Sequence, residues 1–303
     1  MRRSASILNS NRIVKLRKSF GGSVSVVKAE PPDPPAFREV SVQMQASLVT
    51  TEDIRATLGH SHVFSRGIIP GSVASGVVTA IGEDVENFGV GDVVLASAPL
   101  DRGLWRTRAT LSLDSCLLLK APVTFSSTDA VFLVPLLLAQ KILRGTHKGD
   151  VVAINHAESA LGLAIQDLAK YYGVTVEVVE CGKRSRLKGA KVGVTSHCGQ
   201  DSVNVMRTLS PEGSLFVCHD VVEDLNQSCV VNIPVASAIF QDVRVVGLDW
   251  LTWQRTEPRD VQAALKSLEN MLGDLELPRL QSVKKEELEV GLGHLRAPLI
   301  ITF

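Results

Sequence analysis

The stretch of this chain best placed to do chemistry is Asn155-His156-Ala157-Glu158-Ser159-Ala160-Leu161-Gly162. It follows an apolar run, Asp150 to Asn155, that reads as a buried strand. It precedes Ser159 to Tyr172, where Leu161, Ala164, Ile165, Leu168, Ala169 and Tyr172 fall on one helical face. A tight strand-to-helix turn aims backbone N–H groups at whatever lies above the helix N-terminus and so attracts a phosphate, provided glycines let the anion come close. Ser159, Ala160, Leu161 and Gly162 would face such an anion. Only Gly162 is the glycine this requires, because Ala160 sets a methyl group where close approach is wanted. Glu158 adds a negative charge, and a carboxylate about 5 Å from a phosphate charge is repelled by roughly 1 kcal/mol or more. As plain structure, Glu158 is a favourable acid beside a helix N-terminus.

A second polar cluster follows the next strand, Thr175 to Glu180. Glu180 stands where a nucleotide fold places a ribose-binding acid, and Lys183, Arg184 and Arg186 stand where a 2′-phosphate could be held. The same residues also make a solvated basic loop. The five cysteines, Cys116, Cys181, Cys198, Cys218 and Cys229, are odd in number and contain no C-x-x-C pair, so neither a disulfide framework nor structural zinc is expected.

The elements that must position these residues fall into two groups. From Ser23 to Phe125, short β-branched or alternating runs (24–28, 40–48, 75–81, 93–96, 105–110 and 116–119) are separated by Pro, Gly and Asp clusters and predict an irregular β domain. From Ser126 the rhythm becomes helix (127–143), strand (150–155), helix (159–172) and strand (175–180). This is the opening unit of a doubly wound parallel sheet. Only Cys181 to Gly189 then separate Glu180 from the next strand, 190–195. Nine residues cannot hold the helix and strand that normal winding puts there, so the 175–180 strand should be an open edge. A helix (201–209), strands (214–218 and 243–248), helices (258–272 and 285–296) and a short strand (298–303) complete the chain. The expected fold is therefore α/β, with a β domain at 21–125 and 274–303 and a truncated nucleotide-type domain at 126–273.

At 303 residues and 45% hydrophobic, the chain is long and apolar enough for about two domains, and no run of 18 apolar residues suggests a membrane span. Equal counts of 32 basic and 32 acidic residues conceal an asymmetry. Residues 1–29 hold seven basic residues and no acid, leaving the remainder acidic at −7. Residues 1–20 read as a mitochondrial (matrix) transit segment or as a retained basic arm able to touch RNA or an acidic partner.

Several motifs, in order along the chain, carry a family resemblance: Thr51-Glu-Asp53-Ile54 leading to Gly59, Gly103-Leu-Trp105-Arg106-Thr107 and Asn155 to Gly162. Ile239-Phe240-Gln-Asp242, Val245-Val-Gly247 and Trp250-Leu-Thr-Trp253 continue the series. With them the chain resembles the medium-chain dehydrogenase/reductase superfamily, and within it the mitochondrial trans-2-enoyl thioester reductases. The resemblance implies a GroES-like β domain around a Rossmann domain. It also implies NADPH as hydride donor, a tyrosine as proton donor and, given no Gly-His-Glu run and a single β-domain cysteine, a zinc-free enzyme. The family's tyrosine aligns with Ser61, flanked by His60 and His62, while Tyr171 and Tyr172, the only tyrosines, lie on the 159–172 helix. A phenol of pKa about 10 donates a proton while staying neutral at pH 7, and a serine hydroxyl is a far poorer acid. If the chain is active, Ser61 and His62 are its catalytic candidates. Three more polar anchors change: the family's Asn-Pro-Cys-Thr-Ala falls at Pro135 to Ala139 with Leu138 in place of a hydroxyl, its glycine pair at His219-Asp220, and its Asn-Glu pair at Ser72-Val73.

These departures favour a degenerate member without catalysis and with no bound cofactor. It would serve as a structural or assembly subunit of a mitochondrial complex, such as a ribosome or ribosome-assembly particle, and a homodimer is also compatible. The alternatives are an NADPH-dependent trans-2-enoyl thioester reductase using Ser61 and His62, a quinone oxidoreductase-like enzyme, and RNA contact through the N-terminal arm.

Overall fold

A backbone that alternates buried and exposed residues builds the first unit. In β3 (Glu39–Leu48), Val40, Val42, Met44 and Ala46 point inward while Ser41, Gln43 and Gln45 do not. The structure, a computed structural model, describes residues 11–16, 24–50, 53, 69–98, 103–196, 199–218, 231–275, 281–284 and 299–303. Its chain divides into one unit of Met1–Leu133 with Leu280–Phe303 and another of Val134–Arg279.

In the first unit β3 pairs antiparallel with β4 (Val73–Ile81), which continues to β5 (Val93–Ser97) and β7 (Leu117–Lys120); β6 (Arg108–Ser112) pairs with β3. The end of the chain returns to this sheet as expected. β14 (Leu299–Thr302) lies antiparallel to β3 and parallel to β13 (Gln281–Lys284). Val40, Val42, Met44, Ala74, Val94 and Leu104 fill its core. Gly71, at φ +106°, is required where it stands, since a Cβ there would lie 2.4 Å from Cδ1 of Trp105. Trp105 is fully buried against Val24, Val283 and Ile301.

An unforeseen strand precedes these. Within the basic segment read as an address or arm, β1 (Asn11–Leu16) pairs antiparallel with β2 (Val24–Ala29), with Arg12 opposite Lys28. Asn11 is buried, donating to the Glu30 carbonyl at 3.0 Å and accepting from Thr107 Oγ1 and the Arg108 N–H at 3.2 Å each.

The second unit is a five-stranded parallel sheet in the order β12-β11-β10-β8-β9: Arg244–Leu248, Leu209–Cys218, Ala190–Thr195, Val151–Ile154 and Thr175–Val178. β9 is an edge, as the short connection after it required. α1 (Leu133–Leu143) follows a single 3-10 turn, Asp129–Phe132, whose entry is fixed by the Asp129 N–H donating to Ser126 Oγ. α2 (Ala160–Tyr172) joins β8 to β9, and α3 (Gln200–Met206) joins β10 to β11. α4 (Val235–Phe240) precedes β12, followed by α5 (Trp250–Thr256) and α6 (Pro258–Glu269). α5 was not foreseen as a helix; Asp249 caps it, accepting from the Thr252 N–H at 2.7 Å. The helix expected at 285–296 lies outside the described residues. Among those residues, no helix is long and apolar enough to cross a membrane.

Candidate functional site

The C-terminal ends of β8 and β10 meet where the winding direction of a doubly wound sheet reverses, the place such folds put a ligand. Asn155 locks this point. Its Nδ2 donates to Thr195 Oγ1 at 2.9 Å and its Oδ1 accepts from the Ser196 N–H at 2.9 Å.

Directly above, the turn into α2 has its own internal bonding. Ser159 is extended at φ −69° and ψ 162°, and its Oγ accepts from the Gly162 N–H at 2.9 Å, an N-cap that occupies one of the helix's unpaired donors. His156, at φ +66°, lies 3.8 Å from Glu158 through Nε2 and Oε1. Gly162 is a packing glycine, because a Cβ on it would fall 2.4 Å from the His156 carbonyl oxygen and 2.7 Å from that of Ala157. Ser159, Ala160 and Leu161 are all buried, while Glu158 is exposed.

At the end of β9 the strand closes at Val178, two residues earlier than the apolar run suggested. Glu180 and Lys183 form an ion pair across the following turn. That bond raises the Lys183 pKa above its ordinary value. Arg184 is exposed and forms no ion pair with a described residue. The structure thus gathers Ser159, Ala160, Leu161 and Gly162 into one turn and places Lys183 and Arg184 on the separate loop after β9. Ser61 and His62, like His219 and Asp220, lie outside the described residues. Among the anchors that can be placed, Leu138 is in α1. Ser72 belongs to a buried network, its Oγ 3.5 Å from Asp53 Oδ2 and 3.1 Å from Thr50 Oγ1. No group of three or more His, Cys, Asp or Glu able to hold a metal occurs among the described residues.

Asp53 is the residue the motif reading undervalued. Fully buried, it also accepts from the Thr50 N–H at 3.0 Å, Thr50 Oγ1 at 2.8 Å and the Gly71 N–H at 3.0 Å. Desolvation pushes its pKa up to about 6 against the pull of those donors. The Thr-x-x-Asp spacing of a capping box, completed by the Asp53 N–H donating to Thr50 Oγ1 at 3.2 Å, was the available local signal.

Comparison with known proteins agrees with this architecture. The model of the alcohol dehydrogenase GroES-like domain matches residues 37–111. That domain joined to a parallel nucleotide-type sheet gives the chain the fold of the medium-chain dehydrogenases/reductases. Over a longer span the chain is similar to enoyl reductases. It is 21% identical over 294 residues to the mitochondrial enoyl-[acyl-carrier-protein] reductase of Dictyostelium discoideum, covering 80% of this chain and 82% of that one. It is 34% identical over 164 residues to erythronolide synthase EryA2 of Saccharopolyspora erythraea, covering 51% of this chain and only 4% of that far longer protein. Among solved structures, the mitochondrial 2-enoyl thioester reductase Etr1p/Etr2p heterodimer of Candida tropicalis superposes with a TM-score of 0.78 at 17% identity, over 97% of this chain and 100% of that one. A Pseudomonas syringae quinone oxidoreductase gives 0.79 at 18% identity, over 97% and 100% respectively.

The fold implies a dinucleotide, and the turn at 156–162 is the test of fit. Position 160 carries a methyl group, the Gly162 N–H is taken by Ser159, and the one exposed side chain there is a carboxylate. These residues do not fit a pyrophosphate.

Proposed function

We propose that the chain is an enoyl-reductase-like scaffold without hydride-transfer activity, serving as a protein-binding subunit of a mitochondrial assembly. The α2 turn carries this reading: Ala160 and Glu158 oppose the anion that the fold would otherwise attract, and Ser159 and Gly162 satisfy each other. The loss of a phenol from the β domain supports it from the sequence side, since the family's tyrosine position is Ser61. The mitochondrial setting draws support from the acid-free basic start and from the Dictyostelium relative, which is itself named mitochondrial. Self-association is part of the proposal: a relative of the same fold is a heterodimer, and β12 leaves the second sheet edge open beside an apolar helix.

A second reading, an NADPH-dependent enoyl thioester reductase, is favoured by one observation. A solved complex of Etr1p with NADP and crotonyl-CoA superposes at a TM-score of 0.78. Calorimetric titration with NADPH, followed by NADPH oxidation in the presence of a crotonyl thioester, separates the two. The scaffold reading expects no heat of binding and no turnover. It also expects binding to be gained when Glu158→Asn and Ala160→Gly are combined. Micromolar binding by the natural chain together with crotonyl reduction would establish the enzyme instead. Micromolar binding with turnover of a quinone alone would point to a quinone oxidoreductase-like activity.

A further inference from the structure

We propose that the open edge of β9, together with the basic loop that follows it, takes an acidic extended polypeptide segment as an added strand. This deepens the scaffold reading by naming the chemistry of a partner.

The edge is defined by its own hydrogen bonds. The Thr175 N–H donates to the Asp150 carbonyl at 2.9 Å and the Val179 N–H to the Ile154 carbonyl at 2.7 Å, both toward β8. Along a parallel strand alternate residues turn both backbone groups to the same side. Thr175, Glu177 and Val179 therefore serve β8, and Val176 and Val178 present their N–H and C=O groups outward. Among the described residues, nothing lies beyond β9 in the five-stranded order. Parallel sheets ordinarily bury such strands on both faces, yet Val178 is 49% exposed. A strand laid along this edge would pair the two outward residues and cover the Val178 side chain.

The loop supplies the charge preference. Lys183, Arg184, Arg186 and Lys188 are all exposed within six residues. They sit on a loop anchored at three points. The Gly182 N–H donates to Asp201 Oδ1 at 2.8 Å, Leu187 packs against the core around Ala153 and Val179, and Lys188 Nζ donates to the Arg207 carbonyl at 2.7 Å. Lys183 is paired with Glu180, leaving Arg184 and Arg186 without an ion pair among the described residues. Glu177 is the one acid within β9, and alternation sends its side chain to the face opposite Val176 and Val178. Fixed, unpaired cations beside an unpaired strand edge suit carboxylates on an extended segment, where main-chain bonds give affinity and charge gives selection. A second copy is a poor occupant. Antiparallel self-pairing would bring the loop of one copy near the start of the other's β9, where Lys148 packs beside Gly173, setting cation against cation.

The test is fluorescence anisotropy of the full chain with a fluorescein-labelled octapeptide alternating Glu and Val. Its controls are the alternating Lys and Val peptide, the acidic peptide N-methylated on alternate residues, and an oligouridylate. The acidic peptide should bind and the basic one should not. N-methylation should weaken binding about tenfold or more, because it removes main-chain pairing while keeping every charge. The double variant Arg184→Glu and Arg186→Glu should weaken it by a similar factor. Val178→Pro should do the same with an unchanged circular dichroism spectrum, since proline is tolerated on an edge strand whose N–H faces away from the sheet. Equal binding of the N-methylated peptide, or oligouridylate binding as tightly as the peptide, would reduce the site to a non-specific polyanion surface and overturn the proposal. Absence of acidic-peptide binding would overturn it as well. NADPH titration leaves these outcomes untouched, so failure here is distinguishable from failure of the scaffold reading.

Discussion

A carboxylate held fully buried by four donors, with desolvation still winning, makes Asp53 the most informative single residue in the first unit. Its folded pKa of about 6 lies above the ordinary 3.8, so the fold prefers the protonated form. The contribution is therefore fully present below the ordinary value and declines as pH rises through the folded one. A shift of this size corresponds to about 3 kcal/mol between the two ends of the window. Asp53→Asn cannot titrate. Urea unfolding between about pH 4 and 7, followed by circular dichroism, should show the natural chain losing stability relative to this variant across that interval. A difference that stays flat with pH would refute the assignment. At the low-pH end, where Asp53 is neutral, the variant should be the less stable by about 1–3 kcal/mol, because its amide nitrogen must oppose one of the donors.

At the scale of elements, β1 turns an ambiguous segment into a structural one. Cleavage near residue 20 would remove the strand carrying Ile13 and the Asn11 bonds to Glu30, Thr107 and Arg108. A chain beginning at residue 21 should therefore melt lower than the full one. Asn11→Ala should reproduce part of the loss, about 1–3 kcal/mol, by leaving the Arg108 N–H and Glu30 carbonyl short of a partner. Equal melting temperatures for the three chains would mean that β1 contributes nothing to the unit. The segment was illegible in sequence for a physical reason: its basic residues match an address or arm as well as a strand, and its anchors lie up to 97 positions away. β3 was legible because one-sided burial imposes period-two alternation, and β4 and β5 because each is a short apolar run bounded by Gly, Pro or Asp turns. The truncated sheet was legible from length alone, since the short connection from β9 to β10, residues 179–189, cannot hold a further helix and strand. α5 was hidden by its brevity, with Trp250 and Trp253 reading as a motif and not as one helical face. At the candidate site, the sequence exposed the methyl of Ala160 and the charge of Glu158. The pinning of the 182–188 loop by Asp201 and Arg207 left no local trace.

Taken whole, the parallel sheet ends, among the described residues, in two edges of different chemistry, one basic and short at β9, the other apolar at β12. Ile233, Val235, Ile239, Phe240 and Val245 are all exposed, and Phe240 is 84% so, just before and on the short helix preceding β12 and on the strand itself. This run of exposed apolar side chains is the basis on which self-association is proposed. Antiparallel pairing of β12 about a twofold axis centred on Val246 would set Val245 against Gly247, whose Cα has open space around it. It would also bring the exposed Arg244 toward Asp249 of the other copy, a pairing of opposite charges. The full chain should accordingly sediment as a dimer at micromolar concentration, and Phe240→Asp should shift it toward monomer. Burying one phenylalanine in each copy contributes about 2–3 kcal/mol per side, so its loss from both should raise the dissociation constant by about three to four orders of magnitude. The variant's circular dichroism and melting should match the natural monomer unit, because Phe240 is largely exposed among the described residues. A natural chain that remains monomeric at about 100 μM, where a contact of this size should be saturated, would remove β12 as a self-association edge.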